Sequence, residues 1–476
     1  MSNAKPAPMS NLNIQKLRLR DYRCFEAIDI DFHPQLTVLV ASNGAGKTSI
    51  LDAIAVAFGP YVGAFDESVG KHFQSSDIRL TRVRETTTNE MEYAPRGIQL
   101  EATGFIPGSI SDFLLDKPSI WKRSLTGPIK TKTTIKDAKE LIGYGKRLQE
   151  AVRTPDTDIM LPLLAYYGTG RLWQQKKQTE KTLPRTSRTI GYTDCLDPGS
   201  SYKSFVAWFR YWSTNAFKGQ LEASKSGRAY EPTEFDHYLE SVGGAVNACL
   251  SLSGWKDIDY SLSREELVAR HDQYGELPVA LLSDGIRNMI AMVADIAFRA
   301  TKLNPQLGAL AATKTPGVVL IDEVDMHLHP EWQQVVLKNL ITAFPSLQFI
   351  VTTHSPQVLT SIDASCIRLL RQEIDPETKK RIAVVEFIQT QTRGVSSADL
   401  LAQIMGVDPI PDVPEARMLS EFHALIQQNL HEGEQGNALR TQLEAHFGIN
   451  HPAMRECDRM IRLQAFKQKL PLPNGA

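Results

Sequence analysis

The string Leu281-Leu282-Ser283-Asp284-Gly285-Ile286-Arg287 constrains this chain through what stands on either side of it. Upstream, an apolar run from Leu36 to Val40 feeds Ala41-Ser42-Asn43-Gly44-Ala45-Gly46-Lys47-Thr48, close to a phosphate-cradling P-loop. Downstream, Val318 to Ile321 ends in Asp322-Glu323, and Leu347 to Thr353 ends in His354. The apolar runs have strand length and read as buried strands. Thr48 to Phe58 carries the spacing of a buried helix. Strand, phosphate loop and helix in that order specify an α/β fold whose chemistry lies at strand ends.

At 476 residues the chain is long for one domain. No apolar run approaches the ~20 residues needed to cross a bilayer. The first residues carry neither an apolar signal core nor an Arg-rich amphipathic pattern. The expected location is cytoplasmic, with no membrane partner. Cys24, Cys195, Cys249, Cys366 and Cys457 are scattered without a CxxC pair, which fits reduced thiols and argues against a zinc or disulfide framework. A net charge of −1 excludes polyanion binding by bulk charge. The charge is uneven, however. From Lys117 to Arg153 basic residues face only Asp137, Glu140 and Glu150, and from Arg171 to Arg188 they face only Glu180. These stretches read either as solvated loops or as a surface for DNA.

Alternation predicts half-buried strands over 12–19 and 28–32, and another strand over 97–105. Residues 1–105 thus form the N-terminal lobe of a nucleotide-binding head. Residues 106–276 read as an insertion: a polar, basic part to about 160, a head strand and Gly-Thr-Gly-Arg turn over 161–171, a basic loop, and a helical part over 202–255. In that part Phe205, Trp208, Phe209 and Trp212 read as a helix core rather than a base-stacking platform. Residues 277–390 form the second lobe, with a helix at 286–301, a strand at 317–322, a helix at 331–343, a strand at 347–353, and two further strands near 366–371 and 381–388. Residues 391–476 read as helical, broken by prolines. No heptad run separates the two lobes.

The P-loop assigns the first roles. Gly44 and Gly46, with Asn43, Ala45 and Ser49 around them, let backbone amides face phosphate oxygens. Lys47 reaches the β- and γ-phosphates, and Thr48 binds Mg²⁺ through its hydroxyl. Asp322, at a strand end, is expected to hold Mg²⁺ directly or through water, and Glu323 to orient or deprotonate the attacking water. Ala41 stands where the pattern expects glycine. His327 and His329 read as loop and turn rather than as metal ligands.

Together these strings resemble the ATP-binding-cassette class, in its SMC, RecF and OLD branch. LLSDGIRNMIAMVADIA, LIDEVDMHLHPEWQ, IVTTHSPQVL and AYYGTGR look like the ATPases of bacterial anti-phage defence, above all the ATPase subunit of Septu and Septu-like retron systems. The resemblance covers about 12–105, 161–171 and 277–390. It implies an ATPase with ATP and Mg²⁺ bound in an ABC-type head that bears a mainly helical insertion and a helical C-terminal region. It implies that His354 touches the γ-phosphate, that Asp325 contacts the other subunit, and that Ser283 and Gly285 touch ATP held by a second copy. A homodimer of heads, or a higher oligomer, follows. The partners implied are a separate HNH nuclease subunit docked on the helical tail and, in retrons, a reverse transcriptase with its RNA–DNA. OLD proteins append a nuclease with clustered acids. After His354 this chain offers Asp363, Glu373, Asp375 and Glu377, with no Asp-x-Asp on a strand end and no later acidic constellation of that kind, so no nuclease of its own is expected. The alternative is a RecF- or SMC-like DNA-repair ATPase whose basic insertion binds DNA directly.

Overall fold

The computed structural model describes residues 11–82, 91–108, 118–129, 131–154, 159–170, 187–199, 202–374, 376 and 381–469. The basic run from Arg171 to Arg185, with Lys117, Lys130, Asp375 and Glu377, lies outside them. Residues 1–400 and 401–476 are two compact units.

In the first unit, strands β1 (Lys16–Tyr22) and β2 (Phe25–Asp31) precede β3 (Leu36–Val40) and helix α1 (Lys47–Val62). A short hairpin, β4 (Leu80–Arg82) and β5 (Met91–Tyr93), leads to β6 (Ile98–Gly104) and β7 (Ser119–Leu125). Helix α2 (Lys139–Val152) is followed by β8 (Leu163–Tyr167), α3 (Tyr202–Ser226) and α4 (Glu234–Leu250). Strands β9 (Trp255–Ser261), β10 (Glu266–His271) and β11 (Gly275–Pro278) come next, then α5 (Asp284–Leu303) and β12 (Gly317–Ile321). Helix α6 (Val336–Ala343), β13 (Leu347–Thr353), β14 (Ile367–Ile374) and β15 (Arg381–Phe387) complete the unit.

Among the described residues six strands form the main sheet, in the order β15-β14-β3-β13-β12-β8. All neighbours are parallel except β14 and β15. Every residue of β3, β8, β12 and β13 is buried, as expected for a parallel sheet covered on both faces. The register places Tyr167 beside Ile321, Ile321 beside Val351, and Val40 beside Thr353. The carboxyl ends of these strands therefore share one edge, and the loops that follow them meet there.

A second, antiparallel sheet runs β2-β1-β6-β7. Its outer face is a ladder of opposite charges: Lys16–Asp31 at 3.3 Å, Arg18–Asp29 at 3.1 Å, Arg18–Glu101 at 2.8 Å and Lys122–Glu101 at 2.7 Å. Strand β7 lies in the stretch expected to be an insertion. Its buried register holds Ser119, Trp121, Arg123 and Leu125, and the cation at Arg123 hides the alternation. Arg123 is fully buried and donates to the carbonyls of Val56 at 2.8 Å and Thr134 at 2.7 Å. Much of the basic stretch is thus engaged within the fold, while Lys132, Lys136, Lys139 and Lys146 stay exposed.

Two further departures have local causes. The strand expected over 12–19 begins at Lys16, because the Gln348 side chain holds the backbone of Ile14: its Oε1 accepts from Ile14 N at 3.1 Å and its Nε2 donates to Ile14 O at 2.8 Å. Residues 255–278, not assigned to strands by pattern, form the meander β11-β10-β9. A register shift between Val268 and Arg270 and a left-handed Asp257 (φ 53°) break its alternation. The helix expected over 331–343 is two pieces, Pro330–Gln333 and Val336–Ala343.

Phe205, Trp208, Phe209 and Trp212 on α3 are buried, and Trp212 packs on Phe298 of α5 at 5.6 Å between ring centres. Helix α5 also carries a buried ion pair, Arg299 Nε to Asp295 Oδ2 at 2.8 Å. Arg299 donates further to the carbonyls of Gly191 at 2.8 Å and Thr193 at 3.0 Å, and Tyr167 donates to Asp295 at 2.7 Å. This network ties β8, the 191–193 turn and α5 together. The 401–476 unit holds helices α7 (Pro414–Gln427), α8 (Glu434–Phe447) and α9 (Pro452–Lys469). They build their own core from Phe422, Ile426, Leu439, Leu443, Met454 and Cys457.

Removing one member of a buried ion pair strands the other. Arg299→Leu is expected to lower stability by about 3–5 kcal/mol in urea unfolding. A loss below about 1 kcal/mol would mean that the network is not a structural tie.

Candidate functional site

The P-loop leaves β3 at Val40 and enters α1 at Lys47. Gly44 (φ 78°) and Gly46 (φ 93°) take left-handed conformations that turn the backbone around the loop. Ala41 is not among the residues with positive φ, so its methyl group brings no such strain. Its carbonyl accepts from Lys47 Nζ at 2.9 Å, and that of Ser42 accepts at 3.3 Å. Lys47 is buried. Burial lowers its pKa, and the carboxylates of Asp322, Glu323 and Asp325 oppose that shift. Its neighbours Asn43 and Gly44 are exposed, and Ser49 is half-buried at the start of α1.

Asp322 begins the loop after β12 and is held from two sides. Thr48 donates to its Oδ2 at 2.7 Å and Thr352 of β13 to its Oδ1 at 2.6 Å. A hydroxyl and a carboxylate meeting beside phosphate-facing amides are hard oxygen donors of the kind Mg²⁺ takes. Thr48 and Asp322 therefore fit the cation, which would supply neutralisation of phosphate charge. No group of three His, Cys, Asp or Glu side chains converges as a metal cage among the described residues.

Glu323 is half-buried, its N–H bonds Thr352 Oγ1 at 2.8 Å, and its φ is 48°. A left-handed glutamate is uncommon, and such strain concentrates at functional positions. Thr353 donates to Asp325 Oδ1 at 2.5 Å. His354 follows, half-buried, at the end of β13. Register therefore brings Lys47, Thr48, Asp322, Glu323 and His354 to one edge.

Ser283 and Gly285 start α5. Ser283 is exposed, and its hydroxyl does not cap the helix. Gly285 is buried, and a Cβ there would lie 2.4 Å from the His327 carbonyl oxygen. The glycine thus has a packing reason within its own chain. His327 is left-handed (φ 63°), and the His329 imidazole accepts from Glu331 N, so both serve the loop and the following turn.

Two contributors were not legible in the motifs. Thr352 was hidden in a strand, although a hydroxyl in an apolar run beside His354 is a signal. Arg23 sits in the β1–β2 turn (φ 48°) and bonds Asp52 of α1 at 2.6 Å and Asp77 at 2.8 Å. The same turn packs on the P-loop: a Cβ at Gly46 would come within 2.3 Å of Phe25 Cζ and 2.6 Å of Cys24 Sγ.

Two family models match successive parts of the chain. One, described as "AAA domain", spans residues 16–239, and the other, "AAA domain, putative AbiEii toxin, Type IV TA system", spans residues 257–360. Between them they contain the P-loop and the Asp322–Glu323 pair that the Thr48 bond joins.

This chain is an ATPase.

The ATPase is 25% identical to the "Retron Ec83 probable ATPase" of Escherichia coli, over 95% of this chain and 87% of that one. It is 25% identical to the "Retron Vc95 probable ATPase" of Vibrio cholerae serotype O1 biovar El Tor, over 76% and 75%. It is 35% identical to the "Septu protein PtuA" of Bacillus mycoides, over 30% of this chain and 19% of that one. Among the described residues no helix is long and apolar enough to cross a membrane.

The two P-loop glycines are expected to differ. Ala at Gly44 meets nothing within 4 Å, so Gly44→Ala carries only left-handed strain of about 1–2 kcal/mol. Gly46→Ala adds overlap with Phe25 and Cys24. Binding of a fluorescent ATP analogue and the melting temperature should both fall further for Gly46→Ala. Equal losses would show that the turn does not press on the loop.

Proposed function

We propose that this ATPase is a nucleotide-driven gate in anti-phage defence. Two copies would close around ATP and so control a separate HNH nuclease. The observation that carries the dimeric part is Ser283. It is exposed at the start of α5 and its side chain does not cap that helix, so its hydroxyl is available to a phosphate from outside the chain. The likeness to ATPases named for retrons, and to a Septu protein, supports the defence setting. It also supports a partner within a defence complex; in the proposal that partner is a nuclease, with a reverse transcriptase and its RNA–DNA in the retron case. The α7–α9 unit, which builds its own core, is the proposed dock for that nuclease.

Within one copy, Lys47 would turn from the carbonyls of Ala41 and Ser42 to the β- and γ-phosphates. Thr48 and Asp322 would hold magnesium. Glu323 would orient the attacking water and accept its proton, and His354 would contact the γ-phosphate. Ser283 and Gly285 would complete the site on the other copy, with Asp325 near the seam. ATP then acts as a switch because it binds the closed pair more tightly than the open one.

Three substitutions separate the parts of this reading. Lys47→Ala should abolish binding of a fluorescent ATP analogue. Glu323→Gln should lower phosphate release about 10²–10⁴-fold while keeping ATP bound. Ser283→Arg should leave ATP binding by a single copy intact and remove the ATP-dependent dimer in light scattering. Gly285→Ala is a poorer probe, since it collides with His327 in its own chain. A Ser283→Arg protein that still dimerises on ATP removes the shared site from the mechanism. Unchanged turnover in Glu323→Gln removes the base.

A further inference from the structure

The 401–476 unit segregates its charges. Outside α9 its described Lys and Arg residues are Arg417 and Arg440, and both are paired: Arg417 with Asp412 at 2.7 Å, and Arg440 with Glu444 at 2.7 Å and Asp458 at 2.9 Å. Helix α9 carries the rest. Its Met454 and Cys457 are buried in the core with Phe422 and Leu443. Turned away from them, Arg455, Arg459, Arg462 and Phe466 follow one another at i, i+4, i+7 and i+11, so they form one row. All four are exposed, and Phe466 is 61% exposed.

The row is little engaged by its own chain. Arg455 enters no ion pair among the described residues. Arg459 meets Glu456 at 3.5 Å with both side chains exposed, a pair of small energetic weight. Arg462 donates to the carbonyl of Asp458 at 3.2 Å, which leaves its charge without a counter-ion. Lys467, also exposed, adds a cation beside Phe466. Like charges at one-turn spacing repel, so the row costs the free helix stability rather than adding to it.

The three arginines span about 10 Å of helix at ~1.5 Å per residue. One nucleic-acid strand presents about three phosphates over that length, at ~3.4 Å of axis each. An exposed ring at the end of a phosphate-binding row is a platform on which a base stacks.

We propose that this face of α9 binds single-stranded nucleic acid, with Arg455, Arg459 and Arg462 on successive phosphates and Phe466 under a base. Charge complementarity selects a polyanion, and the exposed ring selects a strand whose bases are open rather than paired. The inference goes beyond the ATP site and does not rest on it. The proposed nuclease would dock beside this face, on α7 and α8.

The test uses the full chain and two fluorescein-labelled probes, oligo-dT and oligo-U, of about 20 nucleotides, longer than the ~4–16 that such surfaces cover. Both should bind in fluorescence anisotropy, more weakly as salt rises, and the tighter probe tells DNA from RNA. Replacing all three arginines, by Arg455→Gln, Arg459→Gln and Arg462→Gln together, should weaken binding at least about tenfold and lower the salt slope by about 2, since each phosphate contact on a single strand contributes about 0.7. Phe466→Ala should weaken binding about tenfold at an unchanged slope. Melting temperature and binding of the fluorescent ATP analogue should stay at wild-type values in both variants, which separates loss of the surface from loss of the fold. A triple variant whose curves superimpose on the wild type overturns the proposal. So does binding that survives the triple variant but is lost with Lys132→Gln and Lys136→Gln, which would put the strand on the basic stretch before α2. A wild-type protein that ignores both probes and binds phosphatidylserine vesicles overturns it too, and makes the row a membrane-surface helix.

Discussion

The Asp322 carboxylate is where the head is tied together. One oxygen takes the Thr48 hydroxyl, from the first turn of α1, and the other takes the Thr352 hydroxyl, from β13. Three chain segments far apart in sequence are thereby fixed at one sheet edge. The bonds are strong because the acceptor is charged and nearly excluded from water. They are possible only because β3, β13 and β12 are adjacent, parallel and in register. A shift of one residue in any of these pairings would turn Thr352 to the other face and break the tie.

The parts of this arrangement that were legible share a feature: the residues that define them are contiguous. Leu36–Val40, Val318–Ile321 and Leu347–Thr353 announce buried strands by unbroken apolarity, and each hands over to a short polar string. The order of strings then brings them together, since parallel strands collect their following loops at one edge. What escaped notice depends on contacts made at long range. Strand β7 carries a cation in its buried register, which is tolerable only because the carbonyls of Val56 and Thr134 receive it. The β9–β11 meander has its alternation broken by a bulge and a left-handed aspartate. Arg23 gains its role from Asp52 and Asp77, which no local pattern links to it.

The basic stretch shows the same limit from the other side. A run of lysines and arginines reads as one surface, yet Lys122 is paired with Glu101, Arg123 is buried, and Arg147 donates to the carbonyls of Pro107 and Gly108. Counting charges along the chain overstates the field they project, because paired or buried cations contribute little to it.

The glycine at 285 links two motifs that sequence presents as separate. It lets α5 approach the His327 carbonyl more closely than any side chain would allow. The loop it meets, from Asp322 to Leu328, contains two left-handed residues, Glu323 and His327, and is anchored to β13 through Thr352 and Thr353. Such a loop has few alternative conformations, so a rearrangement at Glu323 displaces either β13 or α5 rather than dissipating locally. Helix α5 continues into the buried Asp295–Arg299 pair and the aromatic packing under α3. The surface that Ser283 presents is therefore stiffly joined to the acid at Glu323, and this is the condition under which occupancy of a phosphate site can be felt at an exposed helix start.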